Sequence, residues 1–269
     1  MRKIEIIYHY TTVSNSINII QSGKLFACDA KYLNDANELV AATNLFCQAI
    51  RERYNISINH FVHLNNSIRS YCVSCFSESP EILSQWKSYA NDGKGLCLGF
   101  SRSRFEHVRS GQYQAKLAKC VYNDHAGFID QLIINNPEDI DNIISTSRET
   151  MSGDIDLEKH RKSIDNIYME LLRLKNKKFS EEMEVRLISC FPTAETKKIV
   201  KNDVIVPYME YEFSSNDDKS YIWTAIPEIW LGPKCDKRNE DAIKSFMQLG
   251  WIVNSEAGFG TYRFDCGYR

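Results

Sequence analysis

Apolar residues recur with two periods along this chain, and the switches between them mark its elements. Over residues 4–11 they alternate. Ile4, Ile6, Tyr8 and Tyr10 share one face and Glu5, Ile7, His9 and Thr11 the other, which predicts a strand. Thr12 then caps a short helix with Val13, Ile17 and Ile20 at i, i+4 and i+7, and Gly23 stops it. Residues 24–27 predict a second short strand. A helix opens at Leu33-Asn34-Asp35 and runs to about Tyr54, burying Leu39, Phe46 and Ile50, and another covers 59–69. A strand over 70–77 leads to Ser79-Pro80-Glu81, a helix start with proline at the first helical position. That helix carries Ile82, Trp86 and Tyr89 on one side and ends at Asn91-Asp92-Gly93.

Strands follow over 95–100 and 119–122, then a largely helical stretch over 123–178, then a strand over 183–189. The tail predicts a strand over 226–231, a helix over 236–249, and strands over 251–254 and 261–264. Strands and helices mix without regular alternation, so the expected class is α+β. The expected architecture is a single domain over 1–269. It has mixed, mostly antiparallel split sheets with helices around them, and a helical insertion at about 123–178 outside the core.

Composition changes this picture little. With 43% hydrophobic residues among 269, the chain has ample material for a core, which excludes general disorder. A formal charge of -2 argues against a dedicated nucleic-acid binder. No apolar stretch reaches the length of a signal peptide or membrane span, so a soluble cytoplasmic protein with no membrane partner is expected. The nine cysteines are scattered and read as reduced, mostly buried thiols. The close pair Cys72 and Cys75 falls in a strand, where residues three apart face opposite ways, and no metal site is expected. The acidic run 123–157 and the basic run 158–178 read as two solvated helix faces.

Three polar signals carry candidate chemistry. The first is His9 with Thr11 on the less apolar face of the first strand; a lone strand histidine is more often a hydrogen-bonded core or rim residue. The second is the segment 83–95, in which Trp86 and Tyr89 fit one buried stripe, and whose glycines lack the spacing of a phosphate-binding loop. The third is the run 179–186, where Glu182, Glu184 and Arg186 alternate with Met183, Val185 and Leu187. It is either an exposed face with a weak Glu184–Arg186 ion pair, or a carboxylate pair presented into a cleft. A weaker signal, His60-x-x-His63 on an expected helix, would serve a metal-dependent nuclease.

As a set, certain motifs resemble an uncharacterised bacterial family known as domain of unknown function 2971. They are 8–12, Leu33-Asn34-Asp35 with Glu38, Cys75-Phe76-Ser77, 84–100, and Glu182-x-Glu184-Val185-Arg186-Leu187. The late Ile229-x-Leu231-Gly232-Pro233 and Tyr262-Arg263 fit as well; Phe179 departs from the expected Trp. More distantly, His9-Tyr10-Thr11, a short helix and Ile20-x-x-Gly23-x-Leu25, followed by a late strand glutamate, are similar to ADP-ribosyltransferases. This sequence lacks their usual tyrosine–phenylalanine strand pattern.

That second resemblance implies an enzyme that uses NAD as substrate and transfers ADP-ribose to an unidentified protein or nucleic-acid acceptor, in a toxin or phage-defence context. It implies that Glu184 binds the ribose 2-hydroxyl and stabilises an oxocarbenium-like centre. His9 and Thr11 would orient a ribose, and Tyr89 or Trp86 would stack on nicotinamide. Glu182 would orient or deprotonate the acceptor, and Arg186 would hold the carboxylates or contact the pyrophosphate. The alternatives are a non-catalytic NAD, nucleotide or partner-binding module and the nuclease.

Overall fold

The computed structural model describes residues 4–33, 36–58, 69–106, 109–110, 113–152, 157–201, 203–213, 224–253 and 260–268. Its strands are β1 (Ile6–Thr11), β2 (Lys24–Asp29), β3 (Arg69–Ser77), β4 (Leu96–Ser101), β5 (Arg109–Ser110), β6 (Tyr113–Gln114), β7 (Lys116–Lys119), β8 (Glu184–Pro192), β9 (Lys197–Lys201), β10 (Val204–Glu212), β11 (Glu228–Leu231) and β12 (Gly260–Arg263). The described helices are α1 (Val13–Ser22), α2 (Ala36–Tyr54), α3 (Leu83–Tyr89), α4 (His125–Asn135), α5 (Pro137–Ser152), α6 (Leu157–Leu171) and α7 (Lys237–Val253). None is long and apolar enough to cross a membrane.

Local chemistry sets the first elements as the sequence predicts. The Thr12 hydroxyl accepts the Asn15 N–H at 3.2 Å, and Gly23 ends α1 in the left-handed conformation with its N–H on the Ile19 carbonyl. Pro80 does not open a helix. Its carbonyl instead accepts the Trp86 indole N–H, and α3 begins three residues later.

Ten strands form one sheet, in the order β12-β11-β4-β1-β3-β2-β10-β9, with β8 along β3 and β7 along β8. All pairs are antiparallel except β11 with β12. The α+β class and mostly antiparallel sheet match expectation, but the split sheets are branches of one connected sheet. The branch point is β3. One of its edges pairs with β8 throughout, from Arg69 opposite Pro192 to Ser77 opposite Glu184. Its other edge is shared: Cys72 and Val73 pair with β2, and Ser77 pairs with Tyr8 of β1. Between these contacts the edge is unpaired, so β1 and β2 diverge and the sheet forks.

One sheet face packs under α1 and α7, with Phe76, Phe100, Phe105 and Phe213 at its centre. The opposite face holds two separate cores. Over β1, β4 and β11, α3 seals Trp86 against Tyr10, Cys97 and Phe264. Over β3 and β8 lie α2 and α4–α6, whose Ile129, Ile133, Ile143, Ile167 and Leu171 pack with Val73 and Ile188.

The stretch 123–178 is therefore half of a core, not an appendage outside it. Its charge runs are not wholly solvated either. Asp165 is buried, pairs with Arg69 and accepts the Tyr71 hydroxyl at 2.9 Å. In the tail α7 continues through Val253, so no strand starts at Trp251. The strand expected over 119–122 lies earlier, as β7, and the helix expected over 59–69 falls largely outside the described residues. The β9–β10 hairpin is additional.

Candidate functional site

The fork opens onto a cleft of about 540 Å³ on the sheet face between those two cores. Its first wall is built by β8 and the turns leading to it. Because Cys75 pairs with Arg186 and Ser77 with Glu184, these side chains project from the same face. Glu182 lies outside β8, at the end of a 3-10 turn over Lys177–Glu182. Met183 follows it with a left-handed φ of 43°, which costs a non-glycine residue about 1 kcal/mol or more and turns the chain into β8. Strand alternation was expected to put Glu182 beside Glu184; a backbone kink does so instead.

Lys175 joins the two carboxylates. Its Nζ donates to Oε2 of Glu182 and to Oε2 of Glu184, both at 2.5 Å. Arg186 holds Glu184 from the other side, Nε to Oε1 at 2.8 Å and Nη2 to Oε2 at 3.2 Å. Its Nη1 donates to the Leu172 carbonyl at 2.6 Å, and Nη2 lies 3.7 Å from Oε2 of Glu38. Glu38 also accepts the Asn176 N–H. Lys175, Glu184 and Arg186 are buried, at 2%, 5% and 4% exposure.

The exposed Glu184–Arg186 pair allowed by the sequence is thus a sealed network. Burial alone would raise the Glu184 pKa, but Arg186 and then Lys175 outweigh it and hold the carboxyl at about 2. Burial likewise opposes the charge on Lys175 and Arg186, and their carboxylate partners keep both protonated. A buried network of this kind is pinned in one geometry by its hydrogen bonds.

His9 enters the cleft at the gap in the ladder. Its Nδ1 lies 2.9 Å from the Cys75 carbonyl, on the edge of β3 left unpaired between β1 and β2. A carbonyl only accepts, so Nδ1 carries the proton and Nε2 of the neutral ring is an acceptor. Burial pulls the His9 pKa down, the Cys75 carbonyl opposes this, and Lys201 adds to the lowering. Tyr89, at the end of α3, borders the same cleft with 40% of its surface exposed. The second wall comes from β2, the turn after it and the β9–β10 hairpin, with Cys28, Lys31, Lys201, Val204 and Val206.

The structure therefore brings His9, Tyr89, Glu182, Glu184 and Arg186 to one cleft and leaves two candidates out. Thr11 is buried at the end of β1, where its carbonyl backs onto Gly95. Trp86 is fully buried, with its indole N–H on Pro80 and its ring stacked on Phe264, so it has no face for a ligand. Of Trp86 and Tyr89, only Tyr89 lines the cleft. Arg186 has its nitrogens on Glu184, Glu38 and Leu172, which fits holding carboxylates and not contacting a pyrophosphate.

Lys175 and Lys201 are absent from the sequence-derived site. Lys175 was hidden in a basic run, and Lys201 lies in a hairpin the pattern did not reveal. Among the described residues no group of three or more His, Cys, Asp or Glu is placed to hold a metal; His60 and His63 lie outside them.

A family model described as a protein of unknown function, DUF2971, matches residues 85–187. The matched stretch opens at Gln85-Trp86 and closes at Leu187, so it carries Tyr89, Lys175, Glu182, Glu184 and Arg186, while His9 and Lys201 lie beyond it. No curated protein and no solved structure matches the chain.

Proposed function

We propose that this protein is an ADP-ribosyltransferase-like enzyme that cleaves NAD at the fork of its sheet and passes the ADP-ribosyl group to an unidentified protein or nucleic-acid acceptor. The observation that carries this reading is the meeting of His9, Tyr89, Glu182 and Glu184, from three separate stretches of chain, on one cleft. Breaking the nicotinamide–ribose bond releases neutral nicotinamide and leaves positive charge on the ribose. Glu184, ionised at any pH above about 2, is suited to stabilise that charge and not to donate a proton. Lys175 and Arg186 fix its position in advance of the reaction. Tyr89 offers a ring for the departing nicotinamide, the Nε2 of His9 an acceptor for a ribose hydroxyl, and Glu182 a base for the acceptor.

One observation favours a second reading, a binding module without catalysis: both oxygens of Glu184 are already engaged by cations. Incubating the purified protein with NAD and measuring nicotinamide release separates the two. The enzyme reading expects release, strongly reduced in Glu184→Gln, and thermal stabilisation by NAD without added magnesium or zinc. Stabilisation without release supports the module, and neither effect removes NAD from both readings.

A further inference from the structure

The two walls of the cleft differ in charge. The β8 wall carries Glu182 and Glu184, and its cations Lys175 and Arg186 are held by those carboxylates and Glu38. On the opposite wall Lys201, exposed at the end of β9, has its Nζ 3.0 Å from the Sγ of Cys28, a weak acceptor. No carboxylate among the described residues lies within ion-pair distance of Lys201, whereas Lys24 on β2 and Lys197 at the other end of β9 both pair with Glu210. The Lys201 charge nevertheless reaches the site, since it is one of the influences that disfavour protonation of His9. An anion entering the cleft is repelled by the carboxylate wall and drawn to the lysine.

We propose that Lys201 is a phosphate-binding residue, so that the cleft takes a nucleoside diphosphate with its reacting ribose toward Glu184 and its phosphates against β9. The orientation follows from the charge difference between the walls, and the identity of the reacting ribose rests on the NAD reading above. Ionic recognition of this kind weakens with added salt.

Calorimetry on the full chain with ADP-ribose, inorganic pyrophosphate and nicotinamide riboside as probes tests the assignment in wild type, Lys201→Ala and Lys201→Arg. Lys201→Ala should weaken ADP-ribose and pyrophosphate by roughly tenfold or more, the effect of losing one charged hydrogen bond. Lys201→Arg should restore them, and nicotinamide riboside, which has no phosphate, should bind all three proteins alike. Equal binding of the phosphate probes to wild type and Lys201→Ala, or no binding to wild type, overturns the proposal. If those probes bind through Lys201 while NAD is neither bound nor cleaved, the phosphate site stands and the NAD reading falls. If Lys201→Ala cleaves NAD with unchanged KM, the NAD reading stands and the role of Lys201 falls.

Discussion

The Nζ of Lys175 lies 2.5 Å from Oε2 of Glu184, and neither side chain has more than a few per cent of its surface open to water. An ionised carboxylate there needs its cations, and the cations need it. The Glu184 pKa falls from 4.5 to about 2 on folding, so ionisation favours the folded state above pH 4.5. That contribution, about 3 kcal/mol, is lost as the pH drops from 4.5 toward 2. Lys175→Met should lower stability at neutral pH and flatten this dependence, since Glu184 then titrates closer to its ordinary value. Urea unfolding across a pH series measures both effects; an unchanged acid dependence would contradict the coupling.

Glu184→Gln should reduce nicotinamide release by roughly 100-fold or more, because it removes the charge that stabilises the transition state. On an exposed strand face such a substitution would change folding little. Burial between two cations changes that expectation, and Glu184→Gln should also cost about 3 kcal/mol of stability. Assays on protein confirmed folded by circular dichroism keep the two effects apart. Glu182→Gln should spare slow NAD hydrolysis and impair acceptor labelling, since water can replace an oriented nucleophile. Full activity of Glu184→Gln in both assays would show that this is not the catalytic strand.

His9 should be neutral at pH 7, protonated on Nδ1, and should titrate below 6.5, which nitrogen-15 spectra of the imidazole report directly. An unfolded chain takes up that proton more readily, so His9 makes stability fall as the pH drops below 6.5. His9→Asn keeps a donor for the Cys75 carbonyl and should abolish this dependence. His9→Ala leaves the carbonyl without its partner and should cost about 1–3 kcal/mol.

Gly95→Ala should be among the most damaging single-methyl additions. A Cβ there would lie 2.3 Å from the Thr11 carbonyl oxygen and 2.8 Å from that of Ala90, both main-chain atoms with no room to retreat. The loss expected from such overpacking is about 3 kcal/mol by chemical denaturation. Because Gly95 anchors the end of α3 to β4, the substitution should also disturb Tyr89 and weaken any stacked ligand.

Much of this was legible in the chain. The alternation in β1, the Thr12 cap, the Gly23 stop and the run Val185-Arg186-Leu187 each express a local rule that the fold obeys. The β9–β10 hairpin was not legible, because β9 reads Lys197-Lys198-Ile199-Val200-Lys201 and β10 contains Pro207, so neither presents a plain apolar alternation. Lys175 could not be distinguished from the lysines around it. Its burial arises from the bridge between Val121 and Leu174, which turns it inward, and from carboxylates that only the fold brings near. Trp86 and Tyr89 looked equivalent for a similar reason. A helical stripe does not say where the burying surface ends, and here it ends between those two residues.

The cleft begins as an interruption of main-chain pairing: β1 and β2 leave the same edge of β3 at different heights, and the Cys75 carbonyl between them turns to an imidazole. No side-chain substitution removes an interruption of that kind. The floor of the site is therefore inherited from the topology, while its chemistry is written in a few replaceable residues on either side. A sequence could exchange Glu184, Tyr89 or Lys201 and retain a cleft of the same shape for a different ligand. Shared architecture with this protein would then predict where a relative binds far better than what it binds.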